Sequence, residues 1–100
     1  MVKHIVMWKL KSEYSDDEKK QIISDIKENL EGLVGKVPGL TSAKVVTDKL
    51  DTSTADVMLY CEMENPETVK AYKVHPEHQK VANTYVRPYF EVRLAMDYTV

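Results

Sequence analysis

The side chains most able to move protons in this chain are His4, Tyr72, His75 and His78. A histidine is neutral or charged near pH 7, and a tyrosine hydroxyl donates or accepts a proton, so the set suits general acid–base chemistry. His4 stands mid-strand among apolar neighbours. His75-Pro76-Glu77-His78 opens a helical segment, and Tyr72 lies just before it. His4, Tyr72 and His78 are the candidate catalytic residues. Each taken alone also reads as a core side chain with a satisfied hydrogen bond. A metal needs three or four ligands in correct geometry. His75 precedes Pro76, which favours extended backbone and turns it away from the face of His78. Cys61, the lone cysteine, belongs with Leu59 on a helix-packed face. No metal or organic cofactor is therefore expected, and the chain shows no Ser-His-Asp arrangement or glycine-rich phosphate loop. Glu91, Arg93 and Asp97 share one face of the last strand and read first as charges guarding a sheet edge. The alternative is a polar rim to a cavity. Tyr60, Tyr85 and Tyr89 suit an interface with or without a ligand.

The elements that must position these residues follow from periodicity. Val2–Leu10 reads as a strand with apolar residues on both faces at its centre, Ile5 and Met7 on one and Val6 and Trp8 on the other. Ser15 and Glu18 have capping-box spacing, with Asp16 and Asp17 in the first turn. Ile22, Ile23, Ile26, Leu30, Leu33 and Val34 then recur at helical spacing, predicting about five turns up to Gly35. Pro38-Gly39 turns the chain. Thr41–Leu50 reads as a weaker strand, Asp51–Thr54 as a polar turn and Asp56–Met63 as a third strand. Asn65-Pro66 starts a helix. Pro76 lacks the N–H that the Tyr72 carbonyl would need, so the helix breaks at Val74-His75. A second segment carries His78, Val81, Ala82 and Tyr85 on one face. Pro88 ends the region, and the last strand runs from Phe90 to Thr99.

The order β-α-β-β-α-β predicts an α+β, ferredoxin-like fold with both helical regions on one face of a four-stranded antiparallel sheet. One hundred residues, 43% of them hydrophobic, suffice for a single domain over residues 1–100 with one core. A net charge of −2 argues against a nucleic-acid partner. The longest apolar run, Val57–Cys61, is far short of the ~20 residues that span a membrane. Lys3, His4, Lys9 and Lys11 interrupt any signal-peptide core, so a cytoplasmic location is expected. Apolar residues on the face away from the helices would form a patch that monomers seldom expose. A homodimer packed sheet to sheet covers it, and a charge at Val6 or Trp8 is expected to release monomers or unfold the chain.

Four stretches carry a resemblance. The opening Val2-Lys3-His4-Ile5-Val6-Met7-Trp8, the turn Val37-Pro38-Gly39-Leu40, and Tyr72-Lys73-Val74-His75-Pro76-Glu77-His78 resemble the stress-responsive A/B barrel (Dabb) family, as does the ending Met96-Asp97-Tyr98. The resemblance implies a dimeric α+β barrel, two ferredoxin-like sheets face to face, with a cavity between sheet and helices in each protomer. It also implies a protein of unassigned activity that binds a small hydrophobic molecule there. The alternative comes from a plant branch similar to cofactor-free polyketide cyclases. In that branch the residues matching His78, Tyr72 and His4 would respectively abstract a proton from carbon, polarise the carbonyl or stabilise the enolate, and assist positioning. Val57 stands where that branch has a polar residue, so its substrate does not transfer.

Overall fold

A computed structural model describes all residues from Met1 to Val100. The chain forms β1 (Val2–Leu10), α1 (Asp16–Glu31), β2 (Leu40–Val46), β3 (Val57–Met63), α2 (Pro66–Val74), α3 (Pro76–Val81) and β4 (Phe90–Thr99). A π-helical turn, Ala82–Val86, links α3 to β4. The sheet is antiparallel in the order β2-β3-β1-β4, which makes β1 central and β4 an edge. This is the ferredoxin-like α+β arrangement.

Pleating sends alternate residues of β1 to opposite faces. Val2, His4, Val6, Trp8 and Leu10 are all buried beneath the helices. They meet Ile26, Leu30 and Leu33 from the α1 region, Leu59, Cys61 and Met63 from β3, and Val69 and Tyr72 from α2. Ile5 and Met7 lie on the other, open face. Their neighbours in register are Tyr60 and Met58 of β3 and Met96 and Leu94 of β4. Val6 and Trp8 are thus core residues under the helices. The expectation that a charge there would separate a dimer is corrected, because the side chains that could meet a second sheet are those of the opposite parity.

Local chemistry explains where the elements stop. The Ser15 hydroxyl accepts a hydrogen bond from the Glu18 N–H at 3.1 Å, and the Glu18 carboxylate accepts one from the Ser15 N–H at 2.9 Å, which closes the predicted capping box. The first helix ends at Glu31 rather than Val34. Beyond Gly32 the chain tightens into turns through Leu33 N–H to Leu30 and Lys36 N–H to Leu33, so buried Leu33 packs from a turn. β2 ends at Val46, four residues short of the expected Leu50. Its partner β3 begins only at Val57, because the Asp56 carboxylate turns to accept from the Leu10 N–H at 2.8 Å. Asn65 caps α2 by accepting from the Thr68 N–H at 2.8 Å. Gly39 has φ +86, and a Cβ there would lie 2.6 Å from the Thr68 side chain. That close approach places the start of α2 against the β2 entry.

Candidate functional site

The α2–α3 break places the chemistry. His75 has φ −63 and ψ 133, extended as its proline neighbour requires. Its ring Nδ1 accepts from the Glu77 N–H at 3.1 Å and so caps α3. His75 is a structural cap, while Tyr72 and His78 on either side of the break turn inward. Both line a cavity of about 500 Å³, which His4, Val6 and Trp8 floor from β1. The wide turn at Ala82–Val86, closed by the Arg87 N–H to Ala82 carbonyl bond at 2.8 Å, forms another part of its wall.

The three candidate residues stand in a row. His4 and Tyr72 have ring centroids 5.7 Å apart at 66°, an edge contact, and Tyr72 and His78 are 4.1 Å apart at 41°. His4 and Tyr72 are buried, and His78 is half-buried. The register of β1 on β4 sets Asp97 directly opposite His4, and the Asp97 carboxylate accepts a hydrogen bond from His4 Nδ1. Lys73 lies 3.9 Å from the other Asp97 oxygen.

Burial raises the Tyr72 pKa well beyond the usual range, with the nearby Cys61 adding to it and Arg93 opposing. The hydroxyl therefore stays protonated and serves as a donor. Burial lowers the His78 pKa below the usual 6.5. The positive charges of Arg87, His4 and Arg93 work in the same direction, and the Lys73 carbonyl works against them. That carbonyl lies 3.3 Å from His78 Nδ1. A carbonyl only accepts, so the proton of the neutral ring sits on Nδ1 and the lone pair on Nε2. A neutral histidine with an available lone pair beside a protonated tyrosine is a base next to an acid.

Both readings of the β4 charges have a counterpart in the structure. β4 is an edge strand, as the charge pattern suggested, and Lys9 pairs with Glu91 at 3.6 Å. Arg93 and Asp97 do more than guard it. Arg93 lines the cavity, and Asp97 anchors His4. The signal was their shared parity, but which face it reached depended on the register with β1. Tyr60 lies on the open face with the Lys3 ammonium 5.4 Å from its ring. Tyr89 packs against Tyr14 with ring centroids 5.8 Å apart. No three His, Cys, Asp or Glu side chains gather where one metal ion could join them. No helix is long and apolar enough to cross a membrane.

A four-stranded antiparallel sheet carrying a helix-roofed cavity with a His-Tyr-His row defines a small ferredoxin-like α+β protein. The stress-responsive A/B barrel domain model matches residues 2–100, and the chain belongs to that family. Among solved structures, a dimeric ferredoxin-like protein of unknown function from Bacteroides fragilis is 31% identical, with a TM-score of 0.92 over 99% of this chain and 95% of that one. A Dabb family protein from Mesorhizobium loti is 21% identical, with a TM-score of 0.75 over 99% and 95%. A hydroxynitrile lyase from Passiflora edulis is 20% identical, with a TM-score of 0.71 over 99% and 92%. No curated protein matches the chain.

Proposed function

We propose that this protein is an acid–base enzyme that moves a proton at a carbon next to a carbonyl, on a small and largely apolar substrate held in the cavity. The observation that carries this reading is the His4–Tyr72–His78 row on the cavity wall, with a neutral histidine in contact with a protonated tyrosine. The Tyr72 hydroxyl donates to the substrate carbonyl oxygen. His78 Nε2 takes the α-proton. The C–H electron pair moves into the enolate, and the imidazolium returns the proton to carbon in the product. His4, fixed by Asp97, positions Tyr72 through its edge contact. A well-placed base of this kind contributes about 10²–10⁴ in rate.

The protomer works as a homodimer in this reading. Val92, Leu94, Met96 and Tyr98 of β4 stand exposed on the open sheet face beside Met7. A second sheet laid on that face covers them, and the Bacteroides fragilis relative is described as dimeric.

The test is deuterium incorporation. A panel of alkyl and aryl ketones and β-dicarbonyl compounds is incubated in D₂O with the protein, and α-carbon exchange is followed by NMR. Exchange that is lost in Tyr72→Phe supports the enzyme. Compounds that bind in the cavity and show no exchange above the buffer rate would overturn it in favour of a carrier of small apolar molecules.

A further inference from the structure

The cavity has a second polar pole, away from the His-Tyr-His row. Trp8 is 4% exposed and lines the cavity, and its indole N–H is the one buried side-chain nitrogen or oxygen without a hydrogen-bond partner. Such a donor is unfavourable unless something accepts from it. Arg93 stands directly opposite Trp8 in the β1–β4 register, so both side chains leave the same face of the sheet. Its exposed side chain joins none of the ion pairs of the chain and borders the cavity. The other charged groups on the lining, Lys73 and Arg87, are cations too, and no carboxylate is among the lining residues. Arg87 is engaged with Gln79 and Asn83, and Lys73 reaches towards Asp97. Arg93 is therefore the lining cation that is held by no other side chain, and it belongs to a chain that is acidic as a whole.

We propose that Trp8 and Arg93 form a carboxylate clamp, so that the ligand of this cavity is an apolar organic acid. A guanidinium offers paired N–H donors that match a carboxylate, and the indole N–H supplies a neutral third donor. The wall combines these cations with nine hydrophobic residues among the fifteen that line it, which suits a carboxylate carried on an apolar chain. Trp8 lies four strand residues from His4, so the clamp and the acid–base row are on the order of 10 Å apart. The acid's reactive carbonyl thus lies at the opposite end of the molecule from its carboxylate. This rests on the proposed reading only for what happens at the far end, because the clamp binds acids whether or not turnover follows.

The test uses decanoate, its methyl ester and decyl phosphate, with the emission of the single tryptophan, Trp8, as readout beside calorimetry. Decanoate should change Trp8 emission and bind about 10- to 100-fold more tightly than the ester, the range expected for charge-assisted hydrogen bonds. Arg93→Gln, a change at an exposed position, should remove that preference. Trp8→Phe, with calorimetry as its readout, should weaken decanoate binding. Equal affinity for acid and ester in the wild type, an acid preference that survives Arg93→Gln, or tighter binding of the phosphate would each overturn the clamp. Acid binding without any α-carbon exchange leaves the clamp standing and sinks the enzymatic reading. Exchange on neutral ketones with no acid preference does the reverse.

Discussion

Leu94→Asp places a charge in the middle of the open sheet face without touching the core. Leu94 is 64% exposed in the protomer and stands opposite Met7, which is 39% exposed. Sealing a leucine side chain fully from water stabilises by about 1.5–3 kcal/mol, so covering the exposed share contributes about 1–2 kcal/mol. A two-fold interface contains the residue twice, which makes about 2–4 kcal/mol and raises the dimer Kd by about 30- to 1000-fold. Desolvating the new carboxylates adds to that. Sedimentation velocity over a concentration series measures the shift, and circular dichroism of the diluted sample shows whether the monomer keeps its fold. Val6→Asp is the contrast. Val6 is 1% exposed beneath the helices, so a charge there unfolds the chain rather than parting two folded copies. A Leu94→Asp variant with an unchanged dimer Kd would refute the sheet-to-sheet arrangement.

Three further outcomes follow from the same geometry. The folded pKa of His78 lies below its unfolded value. The unfolded state therefore binds more protons in that window, and the contribution to stability is present above about pH 6.5 and is lost as pH falls through the lower folded value. Urea melts at pH 7.5 and 5 should show that loss, and His78→Gln should shrink it. Cys61 is fully buried and its thiol is pushed up to about 12, so it should resist a disulfide reagent at pH 8 in the native protein and react fully in denaturant. Gly39→Ala meets both a left-handed φ and the Thr68 side chain, and should lower the melting temperature by several degrees, about 1 kcal/mol or more.

The element order was legible because capping residues, prolines and periodicity agree with one another. Ser15 with Glu18, Asn65 with Pro66, and the break at Pro76 each act locally, and each is found where the sequence puts it. The ends of α1 and β2 were less legible. The former is decided by turn hydrogen bonds after Gly32, and the latter by the side chain of Asp56, a residue just ahead of the partner strand β3. The faces of β1 could not be separated by hydropathy, since Ile5 and Met7 are as apolar as Val6 and Trp8. Only the packing of α1 and α2 shows which parity is the core. The site divides in the same way. His4, Tyr72 and His78 stand out by residue type, and the proline between Tyr72 and His78 explains how both point inward. Asp97 and Arg93 act through register with His4 and Trp8, a long-range pairing that the alternation along β4 does not specify.

The central claim is that His78 acts as a base on a bound carbonyl compound, and the most direct measurement is one variant read two ways. For His78→Ala, the rate of α-carbon exchange on the best substrate and the melting temperature are determined on the same preparation. His78 is half-buried and gives up one long hydrogen bond to the Lys73 carbonyl, at 3.3 Å, and its ring contact with Tyr72, so the melting temperature should fall modestly without loss of the fold. The expected result is a rate loss of about 10²–10⁴ with the dimer intact. A rate that persists, or a collapse of stability that explains the loss by itself, would contradict it.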